Sequence, residues 1–160
     1  MKLNVLRMYD DVKMPVYATD GSGCFDIFAH SIQSSGSDER VYGTGLKVEL
    51  PSGYVMLIYS RSGHGFNKGI RLANCVGVMD SDYRGEIKVK LVCDNSSFPI
   101  TGPVQGHAVA QGMIVPYEQV EFVDVLALSA TDRGEAGFGS TDALVEQVIR
   151  NLTTWNDAHA

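Results

Sequence analysis

A chain of 160 residues, 44% apolar and 20% charged, is sized for one domain around one core, and the expected class is soluble and globular. A net charge of −6 and a pI near 5.1 exclude a generally basic nucleic-acid binder, while leaving room for a local site for a small anion. No apolar run approaches the ~20 residues that span a bilayer. The opening "MKLNVLRMYDD" has no apolar centre of the signal-peptide kind, so an intracellular, cytoplasmic setting is expected. Cys24, Cys75 and Cys93 match neither a zinc pattern nor a disulfide framework, and reduced, partly buried thiols are expected.

In chain order, "GSGCFDIFA" (21–29) places Asp26 inside an apolar strand-like run. An acid flanked by Phe25 and Ile27 has a reason to be there: it helps position a metal through water, or it caps a turn. "SIQSSGSDER" (31–40) is polar and reads as a loop. "GLKVELP" (45–51) and "EIKVKLV" (86–92) alternate apolar and polar residues. "YVMLIY" (54–59), "AVAQGMIVPY" (108–117) and "VEFVDVLAL" (120–128) are short and apolar, with turn residues at their bounds. Many short strands at this spacing predict a β-sandwich, barrel or jelly roll. No helical period longer than about two turns occurs in the middle, which disfavours βαβ units. From Asp142, a plausible N-cap, Leu144, Val145, Val148, Ile149, Leu152 and Trp155 trace one apolar stripe, predicting an amphipathic C-terminal helix.

Three segments carry candidate chemistry. "YSRSGHGFNKGI" (59–70) offers a guanidinium fork, a hydroxyl and glycine-exposed N–H groups at Arg61, Ser62 and Gly63, which suit a phosphate chain or form a polar turn. "NCVGVMDSDYRGEIKVK" (74–90) reads as a hairpin facing a flat ligand. Its Asn74 amide is both donor and acceptor, and Asp80 is a candidate general base. Asp82 and Glu86 read as solvent-facing acids. Gln111 is either a core amide satisfied by backbone or a site residue. Finally, "RGEAGFGST" (133–141) packs three glycines around Phe138, too many to hold one shape unaided.

In this order, "SGCFDIFA", "SRSGHG", "NCVGVMDSDYRGEI", "GHAVAQ" and "RGEAGFGST" resemble the five motifs of the trimeric dUTP diphosphatase (dUTPase) family, over about residues 12–141. The resemblance implies an all-β, jelly-roll-like (β-clip) fold and a homotrimer with active sites shared between subunits. It implies Mg²⁺-dependent hydrolysis of dUTP to dUMP and pyrophosphate, which limits uracil in DNA and supplies dUMP. Asp80 would be the general base. Asn74 and the main chain of Gly77, Val78 and Met79 would read uracil. Tyr83 would pack under the deoxyribose and exclude a 2′-hydroxyl, with Lys88 giving main-chain contacts. Arg61, Ser62, Gly63, Gln111, Arg133, Gly139 and Ser140 would hold phosphates, Phe138 would stack on uracil, and Asp26 would bind metal-coordinated water. The implied organisation is a β domain (1–132), a mobile arm (133–141) and a helical extension (142–160).

Departures from the family pattern lie at Cys24 and Asp142, each in place of a glycine, at Ser60 in place of a proline, and at His107 and Ala108 in place of a charged pair. The tail is the larger departure, because such chains commonly stop soon after the fifth motif. Two other readings stand beside the hydrolase. One is a dCTP deaminase of the same fold. The other is a nucleotide-sensing regulatory trimer acting on a protein partner through the C-terminal helix.

Overall fold

A computed structural model describes residues 1–94 and 106–137, together with 142, 145, 146 and 148–150. The chain divides into two compact units, Met1–Gln119 and Val120–Ala160.

Among the described residues, the regular structure of the first unit is β except for one short helix. Its strands are β1 (Asn4–Arg7), β2 (Phe25–Phe28), β3 (Ser31–Ser35), β4 (Glu39–Gly43), β5 (Leu46–Glu49), β6 (Tyr54–Tyr59), β7 (Ile70–Leu72), β8 (Val76–Met79), β9 (Lys88–Cys93) and β10 (Ala108–Pro116). One short helix, α1 (Ser62–Lys68), follows β6. The strands form a β1-β5 pair and two four-stranded sheets, β2-β10-β6-β8 and β3-β4-β9-β7, antiparallel throughout.

One buried cluster joins the sheets: Phe25 and Ile27 of β2, Met56 and Ile58 of β6, Ile70 and Leu72 of β7, and Val89 and Leu91 of β9. The alternation seen in the sequence is the cause. In β9, Val89, Leu91 and Cys93 point inward, while Lys88 and Lys90 face out. A fully buried side chain such as Ile27 contributes about 1.5–3 kcal/mol, so a few positions per strand suffice to fix the register.

Four expectations are corrected. The polar 31–40 segment is not a loop: it supplies β3 and the start of β4, paired through main chain at the edge of the second sheet. Its side chains are mostly solvent-facing, which hid the strand from a hydrophobic reading. The polar turn after β6 is the two-turn helix α1, closed by Gly69 at φ 61°. The 74–90 segment is not a hairpin: β8 pairs with β6, and β9 pairs with β4 and β7 in the other sheet. And "VEFVDVLAL" (120–128) forms no strand.

In the second unit, Phe122, Leu126 and Leu128 are almost wholly exposed. A turn follows, with the Gly134 N–H donating to the Thr131 carbonyl and the Ala136 N–H to the Arg133 carbonyl. Residues 142, 145, 146 and 148–150 are α-helical, with an i,i+4 ion pair between Glu146 and Arg150 at 3.7 Å. Leu144, Leu152 and Trp155 of the predicted stripe lie outside the described residues, as do Phe138, Gly139 and Ser140.

Candidate active site

Two clefts of the first unit collect the candidate residues. The first, of about 270 Å³, is lined by Asn74, Gly77, Val78, Met79, Asp80, Tyr83, Glu86 and Lys88, with Ile58 and Ile87 as apolar walls. It opens where the chain leaves β8 in one sheet and enters β9 in the other. β8 is the edge strand of its sheet, so one side of the Gly77–Met79 main chain has no strand partner among the described residues. Such an edge presents donors and acceptors at fixed spacing, which is what a flat heterocycle needs. The Asn74 side chain stands at the head of that edge, before Cys75, whose φ of 62° turns the chain sharply into β8.

Asp80 follows the last residue of β8 and is exposed, and its carbonyl accepts the Tyr83 N–H at 3.2 Å, closing a turn. The Tyr83 hydroxyl donates to the Glu86 carbonyl at 3.1 Å. Its hydroxyl end folds back over Gly85, where a Cβ would clash with the Tyr83 hydroxyl and the ring carbon that bears it. Glu86 is not the solvent-facing acid the sequence predicts. Its carboxylate accepts the Gly45 N–H at 2.9 Å and the Gln33 side-chain amide at 3.0 Å. Asp82, by contrast, is exposed.

The second cleft, of about 460 Å³, is lined by Asp26, Arg61, Ser62, Gly63 and Gln111, with Ala18, Ser22, Gly23 and Cys24. Sheet register builds it from distant parts of the chain: Gln111 of β10 faces Asp26 of β2 on one side and Tyr59 of β6 on the other. Arg61 lies two residues beyond Tyr59 and forks onto Asp26, with Nε 3.0 Å from Oδ1 and Nη2 3.4 Å from Oδ2. The pair is partly covered, with side-chain exposures of 36% for Arg61 and 23% for Asp26. The Gln111 side-chain amide donates to the Ser60 carbonyl at 2.8 Å. The Ser60 hydroxyl accepts the Leu72 N–H at 2.8 Å, so the serine found in place of a proline ties β6 to β7. Burial, and then the Arg61 and Lys68 charges, hold His64 of α1 below its ordinary range.

Asp26 is thus already engaged by Arg61. Among the described residues, no group of three or more His, Cys, Asp or Glu side chains is placed to hold an ion directly. The candidate phosphate residue Arg133 is in the second unit, where its Nε donates to the Ala136 carbonyl at 2.8 Å.

The dUTPase family profile matches residues 10–142. The chain belongs to the dUTPase family. The deoxyuridine 5′-triphosphate nucleotidohydrolase of Nautilia profundicola is 40% identical over 145 residues, covering 88% of this chain and 99% of that protein. Its counterpart from Hydrogenobaculum sp. is 42% identical over 143 residues, covering 88% and 98%. Among solved structures, the Staphylococcus bacteriophage 80alpha dUTPase with dUPNHPP matches at a TM-score of 0.74 and 25% identity, covering 87% of this chain and 97% of that one. The jelly-roll-like β architecture is therefore the dUTPase fold. The Glu86 clamp is the part that sequence reading missed. Its contacts with Gln33 and Gly45, both far away in the chain, identify it.

Proposed function

We propose that this chain hydrolyses dUTP to dUMP and pyrophosphate, with Asp80 as the base that activates the attacking water. The observation that carries the proposal is the first cleft, where a free strand edge, the Asn74 amide, the Asp80 carboxylate and the Tyr83 ring line one small space. Uracil meets the Gly77–Met79 edge and the Asn74 amide. Cytosine, with a donor where uracil has an acceptor, meets a mismatched donor and loses binding. Tyr83 lies against the sugar, and Lys88 adds main-chain contacts. From the cleft wall the exposed Asp80 carboxylate takes the proton of a water aimed at the α-phosphorus.

Arg61, Ser62, Gly63 and Gln111 hold the triphosphate and neutralise charge building on the leaving pyrophosphate. Mg²⁺ bound by the triphosphate would supply further charge neutralisation, and such an ion keeps most of its water shell. Asp26 suits contact through that shell, because its oxygens already serve Arg61. On their motif alone, Arg133, Gly139 and Ser140 are assigned to phosphate and Phe138 to the uracil face. Residues 133–141 form the arm and 142–160 the extension in this reading.

The working unit in this reading is a homotrimer. The nucleoside and phosphate groups lie in separate clefts of one chain, and a ring of copies can bring one cleft of each against the other of its neighbour. Exposed Phe122, Leu126 and Leu128 are the kind of apolar surface that association covers. A protein partner for the helical residues belongs to the same proposal, their Val145, Val148 and Ile149 being half-exposed. A cytoplasmic setting fits cysteines that form no disulfide, Cys24, Cys75 and Cys93.

The test is pyrophosphate release with Mg²⁺ from dUTP, dCTP, dTTP and UTP. Release from dUTP alone is expected. Absence of release from dUTP, or ammonia release from dCTP, overturns the proposal.

A further inference from the structure

The Glu86 side chain is spent on the fold in an unusual way. A carboxylate at the cleft wall uses one oxygen on the Gly45 N–H and the other on the Gln33 amide, tying the cleft loop to β3 and to the corner after β4. The space for it is provided: a Cβ at Gly43 would stand 2.7 Å from Glu86 Oε1 and 2.6 Å from Gln33 Nε2. Gly45 itself sits at φ +69°, which turns its N–H toward the carboxylate. The neighbouring main chain is held at the same corner, with the Ile87 N–H donating to the Leu46 carbonyl at 2.9 Å and the Thr44 hydroxyl donating to the Ile87 carbonyl at 2.8 Å. The Glu86 carbonyl, in turn, is what the Tyr83 hydroxyl holds.

We infer that Glu86 is a positioning residue that sets the discrimination between deoxyribose and ribose nucleotides by fixing the Tyr83 ring. The chain of contact is short. The carboxylate anchors residue 86, its carbonyl holds the hydroxyl, and Gly85, lacking a Cβ, leaves room for the hydroxyl end of the ring. A ring free to shift by an ångström admits a 2′-hydroxyl and supports the sugar less well. Charge repulsion plays no part, since the carboxylate is turned toward Gly45 and Gln33.

The inference rests on the proposed dUTP hydrolysis, and the experiment separates the two. kcat/KM for dUTP and for UTP is measured in the parent chain, Glu86→Ala, Glu86→Gln, Tyr83→Phe and the Tyr83→Phe/Glu86→Ala double variant, each normalised to folded protein. In Glu86→Ala the dUTP-to-UTP ratio is expected to fall about tenfold, the scale of a small misplacement. Glu86→Gln restores it, because the amide oxygen still accepts from Gly45 and the Gln33 amide can turn its oxygen to the new donor. In the Tyr83→Phe background, where the anchored hydroxyl is gone, Glu86→Ala changes the ratio no further. A purely structural role lowers the folded fraction and leaves the ratio unchanged in the single variant, and that result overturns the inference. So does a ratio change of equal size in the Tyr83→Phe background. A parent chain that does not release pyrophosphate from dUTP fails the functional reading instead.

Discussion

The two clefts are made by opposite means. The nucleoside cleft comes almost wholly from one stretch of chain, Asn74 to Lys88, completed by Ile58. The phosphate cleft comes from three: residues 18–26 running into β2, Arg61 with the start of α1, and Gln111 of β10. The first is local, so a substitution there acts on one chemical role. The second is assembled by strand register, so its arginine and its acid hold each other before any substrate arrives. Damage to the phosphate cleft should therefore spread, and damage to the nucleoside cleft should stay specific.

The largest effect expected is at the base. Asp80→Asn should lower kcat by about 10³-fold, within the range of a lost general base, with KM nearly unchanged. Single-turnover assays with dUTP measure it, and a rate within a few-fold of the parent would remove Asp80 from that role. Arg61→Ala should cost about 10² in kcat/KM, because the proposed phosphate contact is lost and Asp26 loses its forked partner. Arg61→Lys should recover little, since an ammonium has no fork. Mixing the two weak proteins then tests the division into clefts. If a site takes its base from one copy and its arginine from the next, exchanged subunits of Asp80→Asn and Arg61→Ala should restore roughly a quarter of the sites in a randomly mixed ring. If each chain builds its own site, mixing restores nothing.

A subtler break lies within the nucleoside cleft. Gly85→Ala puts a methyl where the Tyr83 ring lies. The ring must move, and discrimination against UTP should weaken about tenfold while the Arg61 side is untouched. Unaltered discrimination would show that the ring in the complex does not lie over Gly85.

The difference between the clefts also explains what could be read from the residues alone. Period-two alternation located β5 and β9, which bury every second side chain against the shared core, and short apolar runs between turn residues located β6 and β10. β3 was hidden because its side chains face water and its pairing is all main chain. Asn74, Asp80 and Tyr83 were legible as one group because the chain keeps them within ten residues of each other. The link from Asp26 to Arg61 was not, since nothing in either segment encodes that β10 lies between them and aligns Gln111 with both. The Gly45–Glu86 contact was invisible for the same reason, and the expected hairpin failed because its halves belong to different sheets.

The smallest effect expected tests how far the phosphate cleft's charges reach. His64 follows Arg61 on α1, and its Nδ1 is buried without a hydrogen-bond partner among the described residues. Burial, then the charges of Arg61 and Lys68, lower its pKa from 6.5, while Asp26 opposes them and His107 adds slightly to the lowering. The folded chain thus prefers the neutral ring more than the unfolded chain does. The stability this gives is present above about pH 6.5 and is lost as the pH falls through the lower folded value. His64→Gln removes the titration. Between about pH 7.5 and about pH 5, the melting temperature of the variant should fall by less than that of the parent, by a few degrees at most. Parallel pH profiles would mean that the proton at His64 is not felt by the fold, and that the Arg61 charge is screened from α1 by its pairing with Asp26.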